Sequence, residues 1–378
     1  VAGGGGGFYE FFAGGGMARL GLGPAWTCLF ANDVCPKKGA AYRRNFGEDA
    51  PYLVEDVARL SSAQLPGRPD LVWASFPCQD LSRAGRGAGL NGARSGTFWP
   101  FWDLMRALDR EGRGAPVVVL ENVVGALSSN GGADFRAIVA AVAASGRRVG
   151  ALVLDAADFV PQSRPRLFVV AVAADVAIPA ALRGGAAGYG RPRAVAAAAA
   201  SLPDELRASW IDWNLPAPDA PPPPLAALID DVPRGVRWRP AAETARLLSM
   251  MSDTQRAKLR AAQTRGGRVV GALYRRTRRD AAGKRVQRAE ARFDGVAGCL
   301  RTPAGGSSRQ TILVVEGEKV RSRLLSTREA ARMMGLPDSY VLPDNYNEAY
   351  HLVGDGVVVP VVDFLARRLL APLDAARR

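Results

Sequence analysis

The feature that most constrains this chain is a rhythm over its first 175 or so residues, where short apolar runs alternate with stretches of helical periodicity. The runs at 8–12, 26–31, 71–76, 117–120, 152–154 and 167–172 read as strands. Such alternation predicts an α/β fold with a doubly wound, Rossmann-like sheet. At 378 residues and 48% hydrophobic composition, the chain can bury the core of one large domain and a smaller one. The rhythm breaks after about residue 176, where an alanine tract (194–200), a proline run (221–224) and an arginine-rich stretch follow with little periodicity. A smaller, irregular domain is expected over 176–322. Residues 327–334 and 357–370 return to helical patterning, so 1–175 and 323–378 are expected to form the large domain.

Charge narrows the partner. Lys+Arg 50 against Asp+Glu 36 gives +14, which favours a polyanion such as nucleic acid, with a membrane surface as the rival. No apolar run reaches the length of a membrane span, and the glycine-rich start lacks the cationic and apolar regions of a signal peptide, so a cytosolic protein is expected. Residues 271–330 hold 14 Lys+Arg against 6 Asp+Glu, with Arg275, Arg276, Arg278 and Arg279 clustered. An isolated charge run is usually a solvated surface; beside a catalytic domain it reads better as a DNA-facing lobe. The four cysteines contain no Cys-x-x-Cys pair, so reduced thiols and no metal are expected. The single histidine, His351, disfavours histidine-based catalysis.

Phe12-Ala13-Gly14-Gly15-Gly16-Met17 follows the first strand and precedes a helix, where glycines let a ligand approach the backbone. Alone, this is equally a tight turn with no ligand. Asp33 after the second strand supplies a carboxylate suited to two ribose hydroxyls, and Asp56 can accept from an adenine amino group. A nucleoside cofactor at the carboxyl ends of the strands accounts for all three. The strand at 71–76 runs into Pro77-Cys78-Gln79 and that at 117–120 into Glu121-Asn122-Val123, so parallel pairing would put both at one sheet edge. A lone cysteine is more often an inert core residue; one ending an apolar strand near a strand-ending carboxylate reads as a nucleophile.

Pro77-Cys78-Gln79, Glu121-Asn122-Val123 and Gln162-Ser163-Arg164-Pro165-Arg166 resemble, in order, the central motifs of the DNA cytosine-5 methyltransferases. Phe12-Ala13-Gly14, Asn32-Asp33, Arg328 to Arg332 with Gly335-Leu336-Pro337-Asp338, and Gly354-Asp355-Gly356-Val357 resemble flanking motifs of the same family. The likeness covers about residues 8–175 and 296–370. It implies methyl transfer from S-adenosylmethionine, released as S-adenosylhomocysteine, to carbon 5 of a flipped-out cytosine in double-stranded DNA, with Cys78 adding to carbon 6. Glu121 would serve N3 from a buried position, Arg166 would serve O2, and Arg164 would orient Glu121 or Cys78. Cofactor contacts are implied for Phe12, Ala13, Gly14, Gly16, Asp33, Val34, Asp56, Val57, Pro77, Asp355 and Gly356. Candidate DNA contacts are Gln79, Ser82, Arg83 and Arg94 in a loop over the base, with Gln162, Arg275, Arg276, Arg301 and Arg309.

Met17, Asp33, Val34 and Asp355 depart from the family pattern, and Cys299 stands where a threonine is usual. Two alternatives carry the same fold: a tRNA-directed enzyme, whose Cys-Phe-Thr tripeptide is absent, and a DNA-binding homologue that has lost catalysis. Amino-directed DNA methylation would need an Asp-Pro-Pro-Tyr type loop, also absent. A monomer of bacterial or phage source is expected, with a companion restriction endonuclease as one context.

Overall fold

The computed structural model describes residues 6–77, 95–184, 188–280, 282–301 and 309–377. These divide into two compact units: 1–155, 165–219 and 357–378 in the first, 156–164 and 220–356 in the second.

The first unit is built on a seven-stranded sheet of β1 (Gly7–Phe11), β2 (Thr27–Asp33), β3 (Tyr52–Val54), β4 (Leu71–Ala74), β5 (Val117–Val123), β6 (Arg147–Asp155) and β7 (Pro165–Ala173), in the order β3-β2-β1-β4-β5-β7-β6. Strands β1 to β5 pair in parallel, while β7 runs antiparallel to both β5 and β6. The apolar runs in β4 and β5 are buried, as strands covered on both faces must be. Cover comes from helices that include α1 (Met17–Leu22), α2 (Pro36–Phe46), α3 (Phe98–Arg110) and α4 (Ala133–Ala144). Phe98, Phe101 and Trp102 of α3 pack in one core with Phe11 and Val118. The helix Val359–Leu365 closes on α1 at Gly21, where any Cβ would stand 2.4 Å from the Val362 Cβ. Only glycine permits that approach.

Six of the seven strands match the apolar runs read from sequence; β3 is too short to show itself. Glu121 and Asn122 lie within β5, because the pairing with β7 continues through Val123 opposite Arg166. The order reverses between β1 and β4, the switch point outside which doubly wound sheets bind ligands. Phe11 pairs with both Asn32 and Ala74, so the segments that follow β1, β2 and β4 leave the sheet at one edge.

The second unit is more regular than its sequence suggested. It holds an antiparallel sheet of β8 (Arg268–Arg279), β9 (Arg285–Arg292), β10 (Thr311–Glu316) and β11 (Lys319–Leu324), ordered β11-β10-β8-β9. Leu273, Ala289, Leu313 and Val315 form its core with Leu247 and Met251 of the flanking helical segment. The compact units do not follow the expected 176–322 boundaries: residues 176–219 belong to the first unit, where Trp210 bridges to Val149 and a Cβ on Gly150 would meet the Ile211 carbonyl at 2.3 Å. Ser326 and Glu329 form a reciprocal capping box on the helix Thr327–Arg332, as the sequence signature requires.

Candidate cofactor and catalytic site

The turn after β1 adopts backbone angles that few residues tolerate. Phe12 has φ 58°, Gly14 55° and Gly16 78°. A Cβ on Gly16 would strike the Phe46 ring at 2.3 Å, while Gly14 meets nothing nearer than 3.9 Å, which leaves its face open. Asp33, at the end of β2, accepts the Gly14 amide at 3.0 Å on one oxygen and the Cys35 amide at 2.9 Å on the other. Each oxygen retains a lone pair, so the carboxylate can still receive two hydroxyls. Val34, directly after it, is 65% exposed although apolar, as a residue that covers a flat ring would be. Asp56 is exposed and caps the turn Val57–Arg59 by accepting the Ala58 amide at 2.9 Å, and Val57 is buried. Open backbone, a carboxylate with spare acceptors and an uncovered apolar side chain fit a nucleoside-bearing cofactor.

Glu10 was not foreseen. Fully buried in β1, it faces the Ala18 and Arg19 amides of α1, yet its Oε2 has no hydrogen-bond partner among the described residues. Burial pushes its carboxyl up to about 8, against the pull of those amides and the Arg19 charge. The available signal was an acid inside an otherwise apolar strand. Burial likewise drives the nearby Cys28 thiol up to about 11, making it a poor nucleophile.

At the neighbouring strand ends, Glu121 is buried and its Oε1 lies 3.2 Å from the Arg166 Nε. Arg166 reaches it across the β5–β7 pairing, in which Val123 sits opposite Arg166. Asn122 donates its side-chain amide to the Phe76 carbonyl at 3.1 Å, tying the end of β5 to the residue just before Pro77. The parallel β4–β5 register and this bond hold Glu121 and Pro77 at one edge. Cys78, Gln79, Ser82, Arg83 and Arg94 lie outside the described residues.

Within the second unit, Arg164 is buried and gives its terminal nitrogens to the Cys299 Sγ (3.2 Å) and to the carbonyls of Leu300 (3.0 Å), Gly354 (2.8 Å) and Gly356 (2.9 Å). Asp355 is exposed between those two glycines. Gln162 corrects an expectation. Taken from sequence as a DNA contact, it is fully buried and its amide is engaged at both ends, donating to the Met333 carbonyl at 2.8 Å and accepting from the Leu300 amide at 2.9 Å. Position in a motif carries no measure of burial. Arg275, Arg276 and Arg301 are exposed, whereas Arg309 donates to Asn347 and lies over the Tyr346 ring. Cys299 is half-buried, and its carbonyl accepts from the Tyr274 hydroxyl at 2.6 Å. Among the described residues no group of three or more His, Cys, Asp or Glu is arranged to hold a metal, and no helix is long and apolar enough to cross a membrane.

A sequence profile described as C-5 cytosine-specific DNA methylase matches residues 7–371. Similar curated proteins include the type II methyltransferase M.HhaI of Haemophilus parahaemolyticus, 26% identical over 370 residues that span 97% of this chain and 95% of the relative. Another is M.MspI of Moraxella sp, 23% identical over 367 residues, spanning 96% and 70%. Among solved structures, the Entamoeba histolytica methyltransferase EhMeth superposes with TM-score 0.62 at 14% identity, over 98% of each chain. A putative DNA modification methyltransferase encoded within an E. coli prophage gives 0.60 at 15%, over 97% of this chain and 99% of the other. At such identities the structural likeness speaks for the fold alone.

Proposed function

The chain belongs to the C-5 cytosine-specific DNA methylase family and methylates carbon 5 of cytosine at specific DNA sequences; from that premise we propose that Cys78 is the nucleophile and that Glu121 and Arg166 act as a pair on the ring it attacks. Members of the family use S-adenosylmethionine, which when bound supplies an electrophilic methyl group. The turn Phe12 to Gly16 and Asp33, Val34, Asp56 and Val57 would hold its nucleoside, with Pro77 as a further contact.

Thiolate addition of Cys78 at carbon 6 turns an unreactive ring into an enamine whose carbon 5 can take the methyl. Negative charge then gathers at O2 and N3. The Arg166 guanidinium answers the first, and the Glu121 carboxyl delivers a proton or hydrogen bond to the second. Removal of the carbon 5 proton lets the Cys78 sulfur leave. Asn122 holds the Phe76 carbonyl and so fixes the residue that leads into Pro77. Arg164, with its donors on Leu300, Gly354 and Gly356, acts as a positioning residue. The observation that carries the catalytic reading is the 3.2 Å pair of buried Glu121 with half-buried Arg166, beside the end of β4.

Sequence reading falls to the part of the second unit built on β8 to β11, with Arg275, Arg276, Arg301 and Arg309 toward the duplex. The type II names of the relatives support work beside a restriction endonuclease. Bisulfite sequencing of plasmid DNA incubated with S-adenosylmethionine and protein, with and without Cys78→Ser, tests the core of this. Methylcytosine confined to one short sequence and lost in the variant is expected; methylation that survives the substitution removes Cys78 from the role.

A further inference from the structure

The outer halves of β8 and β9 form a two-stranded ribbon in which Arg275 to Arg279 are exposed. Its two faces differ in charge. One presents Arg275, Thr277 and Arg279 of β8 with Arg285 and Gln287 of β9; the other presents Arg276 and Arg278 with Arg288 and Glu290. Glu290 is the only acid in either strand. It grips Arg278 through both oxygens, Nε to Oε1 at 2.5 Å and Nη2 to Oε2 at 2.9 Å, and its Oε2 lies 3.3 Å from the Arg276 Nε. Exposed pairs of this kind add little to stability, so fold stability gives little reason to keep a carboxylate here. A ribbon of this shape fits the major groove, where an arginine fork takes guanine O6 and N7 and a carboxylate accepts from cytosine N4. The fork that Glu290 occupies is the one a guanine edge or a phosphate would use.

We propose that Glu290 is a specificity-determining residue: it holds the Arg278 and Arg276 forks as an internal competitor, and yields only to a G·C pair of the recognition sequence, whose guanine takes Arg278 and whose cytosine N4 amino group takes Glu290. A phosphate cannot make this exchange, since it meets the Glu290 charge and gives that carboxylate no donor. Non-cognate duplex is therefore left to the Arg275, Arg279 and Arg285 face. The inference rests on the reading that this lobe contacts DNA.

The test is duplex affinity over a series of salt concentrations, using the methylated sequence and a scrambled one, for the unsubstituted protein, Glu290→Gln, Arg278→Ala and the triple variant Arg275→Ala/Arg279→Ala/Arg285→Ala, each checked for an unchanged melting curve. Glu290→Gln is expected to bind the scrambled duplex several-fold more tightly, with a salt dependence steeper by about one ion, and to lower the cognate-to-scrambled ratio. Arg278→Ala should weaken the cognate duplex about tenfold or more and the scrambled one little. If the triple variant binds both duplexes as tightly as the parent, the lobe reading itself fails. If the triple variant weakens both while Glu290→Gln leaves the ratio unchanged, the lobe stands and the role given to Glu290 is overturned.

Discussion

Glu121 in the first unit and Glu329 in the second are both buried carboxylates facing an arginine, yet their surroundings are opposite. Glu121 stands at a sheet edge where three strands end, and one oxygen meets Arg166 at 3.2 Å. Glu329 is sealed: Arg323 reaches both of its oxygens at 2.6 and 2.7 Å, the Asp230 and Ser326 amides add 2.8 Å bonds, and neither side chain touches solvent. The difference teaches how to tell a group that works from one that holds. A carboxylate saturated by its own chain has no capacity left for a substrate, whereas one at the edge where parallel strands end keeps the capacity that the role proposed for Glu121 needs.

The largest effect should come from breaking the holding pair. Glu329→Ala strands a buried guanidinium and is expected to destabilise the second unit by about 3–5 kcal/mol in urea denaturation, and a loss under about 1 kcal/mol would erase the contrast. Next, Glu121→Gln should slow single-turnover methylation about 100-fold or more while the melting temperature stays within error. A variant that melts early would mean Glu121 is holding too. Glu10 sharpens the comparison with a third kind of carboxyl, buried in β1 and incompletely satisfied. Its folded pKa, about 8, lies above the ordinary carboxylate value, so the folded state keeps a proton that the unfolded chain gives up. Stability from this group is complete below the ordinary value and is lost as pH rises toward 8. Glu10→Gln should therefore flatten the fall in stability between pH 5 and pH 8.5, removing a loss on the order of 4 kcal/mol across that range, read from melting curves across pH. A parallel fall in both proteins would refute it.

Much of the first unit was legible because strands buried on both faces must be written in continuous apolar residues, as in β4 and β5. The second unit was harder to read for the complementary reason. The outer part of β8 is held by hydrogen bonds to β9 and buries almost no side chain, so Arg275 to Arg279 leave no alternation to detect. At the candidate site, motif order singled out Glu121, Arg166 and Asp33, because the chemistry proposed for them requires particular functional groups. Asn122, Glu10 and Arg164 act on backbone carbonyls or amides, which every residue possesses, and nothing in the sequence says which ones they meet.

The glycine contact between α1 and the helix Val359–Leu365 bears on when the protein becomes competent during its synthesis. The turn from Phe12 to Gly16 and the helix that follows it leave the ribosome well before their cover does, since the surface against which α1 packs is translated more than 300 residues later. Pairing so distant in sequence closes slowly and leaves α1 with an uncovered apolar face meanwhile. A nascent chain should consequently have no ordered turn from Phe12 to Gly16 until residues 359–365 have emerged, and ribosome-bound fragments ending before them should be unable to modify the DNA around them.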